Sequence, residues 1–371
     1  MKPLSRPRSR GGRPLARATQ DGKGFAARLL RWHRRCGRHD LPWQGTRDPY
    51  RIWLAEIMLQ QTRVPTVIPY YLRFVERFPD LRRLAAADAD EVMRLWSGLG
   101  YYSRARNLLR AAARIMARHG GEFPRRRELL ESLPGVGRST AAAIAAFAFG
   151  AREAILDGNV KRVLARQFAV RGIPTEKSVE QKFWRLAESL LPPRSIERYT
   201  QALMDLGAMV CVRSNPACAA CPVRGSCAAQ QAGKVKDFPQ RAKRAKRRSR
   251  ETAMLLLLHD GAVLLEKRPP SGIWGGLWSL PEMNVDADPV AWSRERFGCE
   301  VTGVRALPPV KHGFTHYSLT IRPLLCRVRR VHPRAAQLRE QWLPLSRVER
   351  VALPAPVMRL LGRAGRSNPW R

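Results

Sequence analysis

The stretch Leu133–Gly150, LPGVGRSTAAAIAAFAFG, decides how this chain is read, because a glycine turn and a helix start follow each other within a few residues. Gly135 and Gly137 flank Val136 in a turn that can take positive φ without a Cβ penalty. Arg138, Ser139 and Thr140 then open a helix whose Ala and Ile side chains allow close packing. Amides at a helix start point along the positive end of the helix dipole, which makes a seat for a nucleic-acid phosphate that ignores base sequence. The same residues also suit an ordinary connection between two helices, so the rest of the chain has to decide.

Composition narrows the choice. The 371 residues give room for two or three domains, and 44% hydrophobic residues can fill their cores. Against 30 Asp and Glu stand 68 Lys and Arg, a net charge of +38 that calls for a polyanionic partner. DNA or RNA fits that demand, with affinity falling steeply as salt rises; an anionic membrane surface fits it less well. No apolar run is long enough to span a bilayer, and the basic start MKPLSRPRSRGGRPLARATQ lacks the apolar core of a secretory signal. The expectation is a cytoplasmic, nucleoid-associated protein with no membrane partner, acting as a monomer, whose residues 1–22 form a disordered basic arm.

In the helical part of the chain, Phe25–Cys36 has helical spacing, and a further helix is expected from about Pro49 to Thr62, with Asp48 as its cap. Its sequence PYRIWLAEIMLQQT is apolar nearly all round, the mark of a buried helix. Glu56 stands inside it with Ile52, Trp53, Leu59 and Gln60 as helical neighbours and no basic residue three or four positions away. A desolvated carboxyl without a cation has a raised pKa and can donate a proton near neutral pH; a core Glu satisfied by hydrogen bonds is the alternative. Helices Val67–Phe78 and Ala89–Trp96 precede a second glycine turn, GLGYYSRARNLL, where Tyr101 and Tyr102 stand before Ser103, Arg104 and Arg106. Aromatics there could wedge between bases while the arginines bind phosphate, or the tyrosines could pack a core beneath a solvated arginine face.

The segment LDGNVKRVLAR places Asp157 at a helix N-cap. That is a common structural device, and it also keeps a carboxylate ionised through amide hydrogen bonds and the helix dipole. A protonated Glu56 and an ionised Asp157 would form the kind of carboxyl pair that hydrolyses glycosidic bonds. Helices Val179–Leu190 and Ser195–Val210 lead to Cys211, Cys218, Cys221 and Cys227, spaced C-x6-C-x2-C-x5-C. Four thiols in one short loop-rich segment point to a metal centre, and ligand chemistry alone leaves zinc and an iron-sulfur cluster both open. Cys36, Cys299 and Cys326 read as isolated buried thiols.

From residue 234 to 250 the charge run KVKDFPQRAKRAKRRSR reads as a flexible linker. Beyond it the hydrophobic period changes: Thr252–Leu258 and Ala262–Lys267 read as strands joined through Asp260-Gly261, followed by a loop with Trp274, Gly275 and Gly276. A helix near Pro289–Phe297, a strand over about Tyr317–Val328 and a loose tail from Gly362 complete the chain. The pattern is an all-α domain followed by an α/β or α+β domain.

Taken together, LPWQGTRDPYRIWLAEIMLQQT, GLGYYSRARNL, LPGVGRSTAAA, LDGNVKRVLAR and the four-cysteine loop resemble the helix-hairpin-helix DNA glycosylase superfamily, and within it the adenine DNA glycosylases of the MutY type. The resemblance covers roughly residues 23–330. It implies an all-α glycosylase domain over 23–233, a [4Fe-4S] cluster on the four cysteines, and an α/β Nudix-like lesion-reading domain over 251–361. It implies that adenine paired with 8-oxoguanine or guanine is flipped from double-stranded DNA and hydrolysed off. On that resemblance Glu56 protonates the base and handles water, Asp157 stabilises or captures the sugar cation and Asn159 helps hold it. Ser139 stands where strand-cutting relatives carry a Schiff-base Lys, which implies a monofunctional enzyme. Gln60, Gln61, Thr62 and one of the two tyrosines would fill the space around the orphaned base, and Gly135, Val136 and Gly137 would meet the DNA backbone. Phe314-Thr315-His316 matches the family's Phe-Ser-His lesion triplet with Thr for Ser, a change that keeps the hydroxyl. The segment AWSRERFGCE lacks the acidic run of nucleotide-hydrolysing Nudix enzymes, so no such hydrolysis is expected.

Overall fold

Local sequence signals set most of the element boundaries in the computed structural model, which describes residues 13–242, 248–314, 317–333 and 339–367. In chain order the helices are α1 (Arg13–Cys36), α2 (Pro49–Leu59), α3 (Val64–Arg77), α4 (Leu81–Ala85), α5 (Ala89–Trp96), α6 (Ser103–His119) and α7 (Arg127–Glu131). They continue with α8 (Arg138–Phe149), α9 (Gly158–Gln167), α10 (Lys177–Ser189), α11 (Ile196–Asp205), α12 (Ala228–Gln231), α13 (Pro289–Phe297) and α14 (Ala355–Ser367). The strands are β1 (Arg248–His259), β2 (Ala262–Lys267), β3 (Trp278–Ser279), β4 (Glu282–Met283), β5 (Cys299–Ala306), β6 (Val310–Gly313), β7 (Tyr317–Val331) and β8 (Glu340–Pro344). The chain divides into two compact units, Met1–Ala85 with Arg110–Lys243, and Ala86–Leu109 with Arg244–Arg371.

The first unit is helical. Apolar residues at three-to-four spacing on α1, α8, α9, α10 and α11 meet in one core, which contains Phe25, Leu29, Ile155, Leu164, Phe183, Tyr199 and Leu203. Five alanines of α8 between Ala141 and Ala146 are buried, so small side chains let this helix run through the centre of the unit. The end of α11 is locked by Asp205, whose carboxylate has no exposed surface: it accepts from the Arg38 backbone amide at 2.8 Å, from the Arg38 guanidinium at 2.6 and 2.8 Å and from Gln201 at 2.8 Å. His33 Nε2 lies 3.4 Å from the same carboxylate. Directly after Asp205 the backbone widens into one π-turn, Leu206–Val210, which delivers Cys211.

The second unit is a mixed sheet in the order β3-β2-β1-β7-β5, with β4 on β1, β6 on β7 and β8 on β2. β1 and β7 run parallel over a long register, from Arg248 opposite Tyr317 to Leu258 opposite Arg327. The turn between β1 and β2 has Asp260 at φ 46° and Gly261 at φ 74°, the two left-handed positions that an Asp-Gly hairpin supplies. Asp288 caps α13 by accepting from the amides of Val290 and Ala291, and Gly298 ends that helix at φ 65°.

Several expectations are corrected. Helix α1 starts at Arg13, so residues 13–22 continue a helix instead of belonging to a disordered arm. Helix α2 stops at Leu59, short of Thr62. The segment 86–109 groups with the C-terminal sheet and not with the helical unit. The linker is shorter than 234–250: Val235–Asp237 form a 3-10 turn, Phe238 is buried in the helical core and β1 begins at Arg248. Residues 362–367 of the expected loose tail continue α14, whose Val357, Leu360, Leu361 and Ala364 are buried at helical spacing; residues 368–371 lie outside the described residues. Cys36 is exposed, while Cys299 and Cys326 are buried as expected.

Removing one partner of a buried ion pair leaves an uncompensated charge, so Asp205→Ala should destabilise the helical unit by about 3 kcal/mol. Chemical denaturation of the full-length variant measures the difference.

Candidate active site

Helix α2 carries Glu56 into a dry place for reasons visible in its composition. Tyr50, Ile52, Trp53, Leu54, Ala55, Ile57 and Met58 are buried around it, and Asp48 fixes the helix start by accepting from the Tyr50 amide at 2.9 Å. Glu56 retains some exposed surface, as a group facing an opening does, while its carboxyl lies among as many protein atoms as an interior group. Its pKa is pushed up to about 8, first by burial and then by the negative charge of Asp157. The charge of Asp157 is therefore near enough to be felt at Glu56.

Asp157 arrives by a different route. It is the N-cap of α9, and its Oδ1 accepts from the Val160 amide at 2.7 Å. The Asn159 amide and side chain also bond to it, and the Arg162 guanidinium supports its charge. Burial nonetheless outweighs these effects and its pKa is raised, which corrects the expectation that the cap alone keeps it low. The pair still divides unequally: four influences favour charge on Asp157 and none on Glu56, so the shared proton belongs on Glu56. Ser139 on α8 accepts from the Leu156 amide at 2.9 Å, and so fixes the residue immediately before Asp157.

Sequence reasoning missed Arg162. Its guanidinium donates to Asn159 Oδ1 at 2.7 Å, to the Gly207 carbonyl at 2.7 Å and to the Cys211 carbonyl at 2.7 Å. One helical turn on, Arg166 donates to the carbonyls of Val212 and Phe238 and lies 3.4 Å from Cys211 Sγ. The signal was the pair of arginines four apart on the helix that Asp157 caps. Gly207 belongs to the same contact, since a Cβ there would come within 2.7 Å of Asn159 Cβ.

Cys211, Cys218, Cys221 and Cys227 wall one cavity together with Arg166, Val210 and Val235. Among the described residues no group of His, Cys, Asp or Glu converges as the ligands of a single metal ion would. A larger groove of about 710 Å³ is bordered by Arg47, Asp80, Arg82, Phe123 and Arg125; neither it nor the cysteine cavity includes Glu56 or Asp157.

The glycine turn before α8 matches half of its expected geometry. Gly135 has φ 80°, whereas Gly137, the N-cap, has an ordinary φ of −91° and open space where a Cβ would stand. Val136 is buried and both glycines are exposed, so only backbone there faces outward. Gln60 donates to the Gly135 carbonyl at 3.1 Å and to Thr140 Oγ1 at 3.3 Å, which ties α2 to the turn; Gln61 is exposed at φ 57° and Thr62 donates to the Gln60 carbonyl.

In the second unit the two tyrosines separate. Tyr101 is 48% exposed at φ 46°, whereas Tyr102 is buried and its hydroxyl donates to the Leu353 carbonyl at 3.2 Å. Ser103 is exposed. Arg104 is not a phosphate contact: it is buried, packs against the rings of Trp96 and Tyr101 and donates to the carbonyls of Leu99 and Gly100. Arg106 likewise turns inward, to the Gly275 carbonyl at 2.6 Å. Phe314 is half-buried and stacks on Tyr317; Thr315 and His316 lie outside the described residues. Glu266 pairs with Arg296, and Glu282 with Arg268 at 2.6 Å.

Residues 54–189 match the family model of HhH-GPD superfamily base excision DNA repair proteins, and residues 252–363 match that of NUDIX domains. An adenine DNA glycosylase of Buchnera aphidicola subsp. Baizongia pistaciae is 35% identical over 93% of this chain and 97% of its own. The chain belongs to the adenine DNA glycosylase family. The Homo sapiens adenine DNA glycosylase is 34% identical over 82% of this chain and 67% of its own. A thermostable thymine-DNA glycosylase is 30% identical, with TM-score 0.52, over 57% of this chain and 98% of its own. A non-covalent endonuclease III–DNA complex, 23% identical with TM-score 0.50, shares the fold over 58% of this chain and 97% of its own. The chain is thus a DNA repair glycosylase with a helix-hairpin-helix domain followed by a Nudix-like domain. Among the described residues no helix is long and apolar enough to cross a membrane.

Because Glu56 binds its proton more tightly in the folded chain than in the unfolded one, its contribution to stability is full below the usual carboxyl pKa and is lost as pH rises through about 8. Glu56→Gln should therefore match wild type near pH 5 and exceed it at pH 9 by on the order of 2 kcal/mol. Denaturation curves at the two pH values measure this.

Proposed function

We propose that this chain hydrolyses adenine from duplex DNA in which the base stands opposite 8-oxoguanine. The observation that carries the reading is the carboxyl pair: Glu56 dry and without a cation, Asp157 close by and held by amides and Arg162. An N-glycosidic bond breaks when the leaving base is protonated and the sugar cation is stabilised. The Glu56 proton moves to an adenine ring nitrogen and the bond between base and sugar breaks, its electron pair leaving with adenine. The Asp157 carboxylate stabilises the oxocarbenium-like sugar or bonds to it, and Asn159 orients that carboxylate. Water then adds to the sugar carbon and returns a proton to Glu56, so the acid is regenerated. Ser139 in place of a Schiff-base Lys, with its hydroxyl engaged by the Leu156 amide, supports a monofunctional enzyme.

Features of each unit support DNA as the substrate. In the helical unit, Gly137 needs no glycine for backbone strain or packing, so the access its missing Cβ leaves is explained by a phosphate approaching the amides at the start of α8. Gly135 and the backbone of Val136 complete that seat, and the exposed Gln61 beside Gln60 and Thr62 is placed to enter the helix around the displaced base. In the second unit, Tyr101 is the wedge of the two tyrosines, because it is exposed on a strained turn while Tyr102 is committed to the fold. Ser103 lies next to it on the surface. Phe314 with Thr315 and His316 supplies the lesion-reading triplet.

The four thiols fit a polynuclear centre. They wall one cavity together, and four cysteine sulfurs are the ligand set such a cluster takes. Cys211, Cys218, Cys221 and Cys227 would hold a [4Fe-4S] cluster, which fixes the loop that Arg162 and Arg166 grip and takes no part in bond cleavage.

The purified protein should release adenine fastest opposite 8-oxoguanine, more slowly opposite guanine and negligibly opposite thymine. Glu56→Gln should lower release about 10³-fold or more with DNA binding kept. Release of a different base, or turnover retained in that variant, contradicts the proposal. Wild-type activity should fall as pH rises through about 8, where Glu56 loses its proton. The isolated protein should be brown with broad visible absorption and contain about four irons per chain; a colourless protein with one zinc rejects the cluster.

A further inference from the structure

Within the second unit, the loop between β2 and β3 spends conformational strain on one residue. Trp274 is buried at φ 53°, a left-handed backbone that a bulky side chain adopts only when its surroundings force it. The surroundings do so: the Leu277 amide donates to the Trp274 carbonyl at 3.0 Å, and the Gly276 amide to the Pro269 carbonyl at 3.0 Å. A Cβ on Gly275 would come within 2.6 Å of the Pro270 carbonyl oxygen. The loop is therefore closed on itself, and the result of the strain is the position of one indole.

That indole packs against Phe314 with ring centroids 5.6 Å apart, and against His312 at 5.8 Å. Phe314 in turn stacks on Tyr317 at 4.6 Å and 21°, and its amide donates to the Tyr317 carbonyl at 2.8 Å. The loop is also gripped from the other side. Arg106, on the helix that follows the Tyr101 turn, donates to the Gly275 carbonyl at 2.6 Å, the peptide next to Trp274. Further bonds fix the same segment within the unit: Tyr102 and Ser97 donate to the Leu353 carbonyl just before α14, and Lys267 on β2 pairs with Asp90 at 2.7 Å. An unbroken set of contacts thus runs from the Tyr101 turn through Arg106, Gly275 and Trp274 to Phe314.

We infer that Trp274 and Arg106 are positioning residues that set lesion specificity, because they hold Phe314 in a fixed place relative to the exposed Tyr101. Neither residue takes part in bond cleavage. A lesion and an ordinary base differ by a few polar atoms, and a reader that discriminates between them has to be held to a fraction of an ångström. The loop strain is the cost of that precision. This inference rests on the proposed reading of adenine opposite 8-oxoguanine, and it adds the residues that make the reading selective.

The test is single-turnover adenine excision by the full-length protein from two duplexes, adenine opposite 8-oxoguanine and adenine opposite guanine. Trp274→Ala and Arg106→Ala should each lower the first rate about tenfold or more and the second less than about threefold, so that the ratio collapses. Trp274→Phe, which keeps an aromatic ring, should retain most of the ratio. The double variant Trp274→Ala with Phe314→Ala should lose no more of the ratio than Phe314→Ala alone, as expected when one residue acts through the other. Equal loss on both duplexes, a retained ratio, or additive losses in the double variant would each overturn the inference while leaving the proposed function in place. A wild-type ratio near one would overturn the proposed function itself, and the inference with it. Should Trp274→Ala fail to fold, Arg106→Ala and Trp274→Phe carry the same comparison.

Discussion

Two carboxyl groups in one poorly solvated place cannot both be charged, and the helical unit is arranged around that constraint. Glu56 is carried on a helix that is apolar on nearly every side and meets no cation. Asp157 is buried too, yet it reaches the site at a helix start, where the amides of Asn159 and Val160 and the Arg162 guanidinium favour its charge. One proton between two sites of unequal surroundings gives one acid and one anion that feel each other's charge. Each feature that positions the pair has a structural reason: Asp48 starts α2, Ser139 pins Leu156, and Gln60 ties the end of α2 to the turn before α8.

The cysteine loop is fastened to the same helix. Arg162 and Arg166 leave α9 one turn apart and close on the backbone around Cys211, while Asp205 anchors the other approach through Arg38. The π-turn between Asp205 and Cys211 brings Gly207 against Asn159 so closely that no side chain fits. Any change in how the cysteines are held would therefore be felt at the N-terminus of α9, through packing and hydrogen bonds alone.

Much of this was legible in the sequence because the signals were local. Asp48-Pro49 and Asp157 are helix starts in the chain and in the structure, the helix expected near Pro289 begins there, and Asp260-Gly261 is the hairpin turn its residue types require. Glu56 was recognisable from the absence of a basic neighbour along its own helix, which remained true in three dimensions. Long-range effects were not legible. Arg104 reads as a DNA contact, and Arg106 as either a phosphate ligand or part of a solvated face, because sequence does not reveal that carbonyls of Leu99, Gly100 and Gly275 await them. Asp157 read as a low-pKa cap because the cap is local and the burial opposing it is not. A tail starting at Gly362 reads as loose because the helical period of Val357, Leu360 and Leu361 continues into it only through Ala364. Trp274 gave no sign of its strained backbone, which only the closed loop around it imposes.

The proposed chemistry depends on a carboxyl that keeps its proton at neutral pH. Infrared difference spectra between wild type and Glu56→Gln, recorded on the full-length protein across the pH range, observe that proton directly through the carbonyl stretch of a neutral carboxylic acid. The band assigned to Glu56 should be present at pH 7 and fade around pH 8. A band already gone by pH 5 would mean that Glu56 is an ordinary ionised carboxylate, and the division of roles between the two acids would not hold.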